Sequence, residues 1–156
     1  MFRKMRRVQQ QLSEQECVDV LASAPRGVLA VHGEDGYPYA FPMNYIYLDE
    51  KIYFHGAKAG HKLDALASDN RVSFCVMDEG FRKNEEWALN IKSVVIFGCV
   101  KKIDSSRENG EIVRQIGLKY YPTAEDVEKE IHKAGTHVQI LELSIDHMTG
   151  KLVNES

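Results

Sequence analysis

The sequence predicts a mainly β fold, a β-barrel with peripheral helices. Two observations carry the prediction. Runs of β-branched and aromatic residues follow one another with mostly short turns between them, which argues for antiparallel pairing. They number about six, and a strongly curved sheet of that size tends to close on itself. The chain of 156 residues reads as a single domain over its whole length, because domains typically run to about 100–150 residues. A hydrophobic fraction of 44% against 28% charged is the ordinary balance of a globular protein.

The first element is a helix in "LSEQECVDVLASA", residues 12–24. Ser13 can cap it, Glu16 completes a capping box, and Val18, Leu21 and Ala22 form its apolar stripe. Pro25 and Gly27 stop it. Val28 to His32 is a first strand, and "GEDG" a hairpin turn. Pro38 to Leu48 reads as one long second strand, rich in Tyr, Phe and Ile. Pro42 inside it cannot donate to a ladder, so a bulge or an edge is expected there. "LDEK" turns the chain into a third strand, Ile52 to His55.

A small-residue loop then leads into a helix over His61 to Ser68, which "SDN" ends. "RVSFCVM", residues 71–77, is a fourth strand. "DEGFRKNEEWALN" is charged and turn-prone, a mobile loop with Trp87 as its anchor. "IKSVVIFGCVKKI" is a fifth strand, and continuous burial in "VVIFG" would place it mid-sheet. Ser105 to Tyr120 and Glu125 to Ala134 read as helices, and "THVQILELSIDHM" as the closing strand. There is no repeat, low-complexity stretch or linker.

The net charge of −3 offers no general field for nucleic acid. The basic opening "MFRKMRR" is read as a solvated arm rather than an RNA or lipid contact. Cys17, Cys75 and Cys99 form no CxxC pair and read as reduced, buried thiols. No apolar run approaches the roughly 18 residues of a membrane span, and the N-terminus lacks a signal-peptide apolar region. The expected location is the cytoplasm.

Among the histidines, His32, His55, His61, His132, His137 and His147, none stands in an HExxH-like arrangement, so no metal site is expected. No serine lies in a G-x-S-x-G elbow. "HGAKAGHKLDAL", residues 55–66, is the stretch with ligand chemistry. Gly56, Ala57, Ala59 and Gly60 leave room for a close approach. The helix start at His61 offers unpaired N–H groups that favour an anion, and Lys62 adds a positive charge. The stretch reads as a phosphate seat or as an ordinary strand-to-helix connection. Likewise "FPMNYIY" is a strand irregularity, or a place where freed backbone groups can bond the edge of a heterocycle. A phosphate seat without a catalytic constellation points to a bound cofactor that carries the chemistry.

"GVLAVHGEDGYPYAFPMNYIYLDEKIYFHGAKAGHKLDAL", "NRVSFCV", "KSVVIFGCVKKI" and "IDHMTGK", in this order and spacing, resemble the pyridoxamine 5′-phosphate oxidase-like FMN-binding split barrels. The nitroimidazole-resistance-protein-like branch is the nearest in pattern, and the resemblance spans about residues 6–152. It implies an FMN-binding split β-barrel and a homodimer with FMN at the subunit interface. It places His61 and Lys62 on the FMN phosphate. Met43, Asn44 and Tyr45 would run along the isoalloxazine, largely through backbone. Phe54 and His55 would lie beside the ring or the ribityl chain. Ser93 and Lys92 would complete the site from the other subunit, and His147 would lie near the flavin edge. No catalytic residue follows, and His55 is the one position nominated for that role.

The chain departs from the pattern at two places. It ends in "HMTGKLVNES" without the Arg-Leu-His-Asp-Arg kind of substrate motif, which argues against vitamin B6 oxidation. His61 stands where many relatives have arginine. The implied function is an FMN-dependent oxidoreductase that passes electrons from a reduced nicotinamide cofactor to a small acceptor such as a nitro compound. The alternatives are a flavin-binding, storage or sensing protein without turnover, and a haem- or deazaflavin-binding relative.

Overall fold

A computed structural model describes residues 1–104, 106–134 and 138–154, with backbone alone at 106–108 and 134. The elements are α1 (Glu14–Ser23), β1 (Gly27–His32), β2 (Pro38–Met43), β3 (Ile46–Leu48), β4 (Lys51–Gly56), α2 (His61–Ser68), β5 (Arg71–Met77), β6 (Asn90–Ile103), α3 (Ser106–Tyr120), α4 (Ala124–Ala134) and β7 (Gln139–Asn154). Ser105, Thr136 and His137, named above in a helix, a strand and the histidine set, lie outside the described residues.

Seven strands form one sheet in the order β2-β1-β5-β6-β7-β4-β3, antiparallel at each pairing. β2 and β3 stand at opposite ends of that order yet are joined by only Asn44 and Tyr45, so the sheet curls round until its two edges meet. This is the split barrel. The expectation of one strand over Pro38–Leu48 is corrected: its first half pairs with β1 and its second with β4, and no straight strand can serve both ladders. Pro42 lies on the edge strand β2, opposite Val28, where a missing N–H costs least.

Local chemistry fixes the ends of the elements. α1 has its capping box: the Glu16 N–H donates to Ser13 Oγ at 3.2 Å, and the Ser13 N–H to Glu16 Oε2 at 2.8 Å. Removing such a cap costs about 0.5–2 kcal/mol. The β1–β2 turn places Asp35 and Gly36 at φ 56° and 78°, and the β3–β4 turn places Asp49 and Glu50 at φ 49° and 61°. Paired positive φ values suit the right-handed twist of a hairpin. β6 and β7 slip register at Phe97/Gly98. A side chain at Gly98 would run into the Ser144 carbonyl, so glycine is what permits the bulge.

Tyr45, Phe54 and Phe74 fill the barrel, fully buried. Phe74 meets both other rings edge-on at 5.1 Å, an arrangement worth about 0.5–1.5 kcal/mol per pair beyond burial. Along "VVIFG" burial alternates rather than running on: Val94, Ile96 and Gly98 face in, Val95 and Phe97 out. The strand is central, between β5 and β7, but one of its faces is open. Trp87 is 74% exposed, and its backbone carbonyl rather than its ring ties the loop, accepting from Arg82 Nε at 3.0 Å. The loop is also tied by the Phe81–Asn90 backbone pair at 2.9 and 2.8 Å and by the Asp78 carboxylate, which accepts from the Gly80 and Lys92 N–H groups at 3.0 Å each. The three cysteines are free thiols; Cys17 is buried, whereas Cys75 and Cys99 are half-buried.

Candidate functional site

β4 ends at Gly56 and α2 begins at His61. Between them Gly60 takes φ 136°, a value that side chains disfavour. This sharp turn lets α2 start with no side-chain cap, so the first-turn N–H groups have no side-chain acceptor. β2 presents Tyr39, Phe41 and Met43 on one face, by the two-residue alternation of a strand. The His61 ring stacks on Tyr39 at 4.3 Å and 13°. Lys62 Nζ lies 3.6 Å from Met43 Sδ and 4.7 Å from the centre of the Phe41 ring. Among the described residues no carboxylate pairs with Lys62. Tyr39, Met43, Gly60, His61 and Lys62, with Gly56, Ala57, Ala59, Leu63, Gln139 and Leu141, line a cavity of about 180 Å³. A Cβ added at Gly56 or Gly60 would meet open space.

Of the sequence-nominated residues, Met43, His61 and Lys62 come together here. Asn44 is half-buried in the seam between β2 and β3. Tyr45 is fully buried: its hydroxyl donates to the Leu21 carbonyl at 2.6 Å, its N–H donates to Tyr120 Oη at 2.9 Å, and its carbonyl accepts from Lys119 Nζ at 3.0 Å. Desolvation there brings Lys119 down to a pKa of about 8. Phe54 is core; His55 follows it, exposed, on the opposite face of β4, and partial desolvation lowers its pKa. Lys92 lies 3.9 Å from Glu16 Oε1, and Ser93 pairs with Lys151 and Met77. His147 stacks under Phe2 at 4.6 Å. None of these seven lines the cavity.

Tyr39 and Gln139 line it and were not nominated. Tyr39 carried a signal in the Tyr39-Phe41-Met43 alternation. Gln139 is brought in by the β4–β7 pairing with Gly56, which no local pattern announces. Among the described residues there is no group of His, Cys, Asp and Glu fit to hold a metal ion, and no helix is long and apolar enough to cross a membrane.

A second feature lies on the outer face of the sheet. Across five strands the pairing aligns Pro42, Val28, Cys75, Val95 and Thr149, and beside them Ala40, Ala30, Ser73, Phe97 and His147. These rows are small or apolar apart from His147. Val28 is 42%, Met77 58% and Phe97 39% exposed.

Comparisons with known proteins bear on this arrangement. No curated protein matches the sequence. Among solved structures, the chain is similar to a candidate 5-nitroimidazole antibiotic resistance protein from Bacteroides thetaiotaomicron VPI-5482, with TM-score 0.77 and 20% identity over 92% of this chain and 87% of that one. It is similar to an FAD-binding protein from Mesorhizobium loti, with TM-score 0.67 and 23% identity over 92% and 97%. It is similar also to an FAD- and haem-binding protein from Mycobacterium smegmatis, with TM-score 0.72 and 22% identity over 92% and 73%. At such identities the likeness speaks for the fold. The family profile described as pyridoxamine 5′-phosphate oxidase matches residues 13–152, nearly the full length of the chain, and the chain belongs to that family.

Proposed function

We propose that the chain is an FMN-dependent oxidoreductase, passing electrons from a reduced nicotinamide cofactor through FMN to a small acceptor such as a nitro compound. The observation that carries the reading is the cavity at the start of α2. Lys62 brings a charge without a carboxylate partner among the described residues, α2 brings uncapped N–H groups, and the loop brings open space at Gly56 and Gly60. That donor set fits a terminal phosphate. The similarity to FAD-binding proteins supports a flavin at this fold.

In this reading Lys62 and the first turn of α2 hold the phosphate, and His61, oriented by its stack on Tyr39, donates beside them. Met43, whose Sδ lies 3.6 Å from Lys62 Nζ, forms part of the cavity wall. FMN, once bound, supplies the hydride and electron chemistry. The protein contributes position, charge and a dry wall. A cavity of about 180 Å³ falls short of the roughly 300–1,000 Å³ usual for a ligand of that size, so one chain holds the phosphate end and the ring extends outward. The outer face, with Val28, Met77 and Phe97 exposed and Phe2 stacked on Phe97, supplies a surface for a second copy. A homodimer would bring Lys92 and Ser93 of β6 to the partner's flavin.

The test is the absorbance spectrum of the purified protein and the mass of the cofactor released on denaturation. FMN is expected. A Soret band in place of flavin absorbance would sink the reading in favour of haem. Anaerobic NADPH or NADH should bleach the flavin; a spectrum that stays unchanged with both makes the chain a flavin binder and not a reductase.

A further inference from the structure

The slip in register between β6 and β7 has a chemical product. Phe97 pairs with His147 and Gly98 with Ile145, so Asp146 is the extra residue, with no partner across the ladder. A bulge of this kind re-aims the side chain it carries. Asp146 is exposed, and its Oδ2 lies 3.8 Å from Cys99 Sγ. Among the described residues no cation pairs with its carboxylate.

Asp146 lines an open slot of about 470 Å³ at the β1–β2 end of the outer face. That volume lies within the roughly 300–1,000 Å³ of small-molecule sites. The floor is made of small residues, Ala30, Ser73 and Gly98. Rings stand around it. Tyr37 rises from the β1–β2 turn, 76% exposed, and Phe2 stacks on Phe97 at 5.7 Å and 16°. Arg71 also lines the slot, but its Nε and Nη2 both donate to the Asp69 carboxylate, at 3.0 and 2.6 Å, so its charge is cancelled locally. Arg3 and Lys4, beside Phe2 in the chain, do not line it. The slot thus combines three rings with one uncompensated carboxylate. Of the outer rows it takes in Ala30, Ser73 and Phe97, whereas Val28, Cys75 and Val95 lie outside it. None of its residues lines the α2 cavity, so the site stands independently of the flavin reading.

We propose that this slot binds a flat organic cation, an aromatic amidine or amine, with the positive group at Asp146 and the ring among Phe2, Tyr37 and Phe97. The faces of aromatic rings attract a cation, and a hydrogen bond from a cation to a carboxylate is about twice as strong as a neutral one. A flat body suits the slot because Phe2, Phe97 and His147 lie with their planes within 16° of one another.

The test is a titration of the full chain with three flat molecules of one shape: benzamidine, its neutral counterpart benzamide, and the anion benzoate. Amide NMR shifts follow it. Benzamidine should bind with a Kd of about 1 mM, as suits so small a molecule, and should move the signals of Ser73 and Gly98. It should bind about tenfold tighter than benzamide, with benzoate weaker still. Asp146→Asn should remove most of that margin. Tyr37→Ala should weaken benzamidine about threefold, and Tyr37→Phe, which keeps the ring face, should not. Both positions are exposed, so the variants should fold, and matching circular dichroism spectra check it. Benzoate bound as tightly as benzamidine would give the slot to Arg71 and overturn the proposal. A margin over benzamide that Asp146→Asn leaves intact overturns it, and so do shifts that miss the slot. A slot that none of the three enters, because a second copy fills it, overturns it equally.

Discussion

The Tyr120 hydroxyl lies 2.9 Å from both the backbone nitrogen and the carbonyl oxygen of Tyr45, at the seam where β2 gives way to β3. It accepts from the Tyr45 N–H, and it can donate to the Pro25 carbonyl at 2.6 Å. Lys119 Nζ, 3.8 Å from the centre of the Tyr45 ring, donates to the same Tyr45 carbonyl at 3.0 Å. The end of α3 thus satisfies both backbone groups that leave the ladder when the barrel splits, as buried backbone requires.

The first prediction follows from that seal. Tyr120→Phe should destabilise the protein by about 1–3 kcal/mol, because it leaves the Tyr45 N–H without its partner in a half-buried setting. Urea unfolding monitored by far-ultraviolet circular dichroism measures it. A midpoint equal to wild type would mean that α3 does not seal the seam. Tyr120 does not line the α2 cavity, so FMN affinity should survive.

A buried carboxylate supplies the second. Glu142 is 2% exposed; its Oε1 lies 3.1 Å from Lys51 Nζ and 3.3 Å from Lys101 Nζ, and its Oε2 accepts from the Tyr53 hydroxyl at 3.1 Å. Burial pushes its pKa up, but the hydrogen bonds from Lys51, Lys101 and Tyr53 outweigh that and hold it below the ordinary 4.5. A carboxyl whose folded pKa is lowered gives stability that is present above its unfolded pKa and is lost as pH falls through the folded one. Glu142→Gln should therefore be less stable than wild type near pH 7, and the gap should narrow below about pH 4. Unfolding midpoints for both proteins across that range check it; a gap independent of pH would refute the assignment.

How much of this was legible in the sequence depended on range. The α1 cap and α2's span, His61–Ser68, were readable because their signals sit within a few residues. The hairpin turns at Asp35-Gly36 and Asp49-Glu50 were readable for the same reason. The break at Asn44–Tyr45 was not, since it is set by which distant strand each half pairs with, and Pro42 pointed only to an irregularity nearby. In the site, Lys62 was legible from a loop composition. Tyr39 under His61 was not, because it takes that place only when α2 packs against the barrel.

The third prediction concerns assembly. The outer rows through Val28, Val95 and Phe97 are apolar, with Val28 and Phe97 exposed and Val95 half-buried in one chain, and an obligate interface commonly buries roughly 2,000 Å² or more. Sedimentation at low micromolar concentration should give twice the 17.8 kDa chain mass, with or without flavin. Phe97→Glu puts a charge into that face and should shift the protein to monomer, since an unpaired charge is not buried without large cost. Because the proposed flavin site draws on both copies, the monomer should also lose flavin. A monomeric wild type, or a monomeric variant that keeps its flavin, would rule out the shared site.

The last prediction isolates the phosphate. Lys62 Nζ sits against Met43 Sδ and over the face of the Phe41 ring, so truncation to alanine would empty that space as well as remove the charge. Lys62→Met keeps an unbranched apolar side chain there and removes only the ammonium. FMN affinity should fall by about 10- to 150-fold, the equivalent of a charge-assisted hydrogen bond worth roughly 1.5–3 kcal/mol. Riboflavin, which has the same ring and ribityl chain without the phosphate, should bind wild type and variant alike. The unfolding midpoint of the flavin-free proteins should also match, because Lys62 has no carboxylate partner to strand. Equal losses for FMN and riboflavin would show that Lys62 shapes the cavity wall and does not hold the phosphate, and the seat would then rest on His61 and the uncapped start of α2.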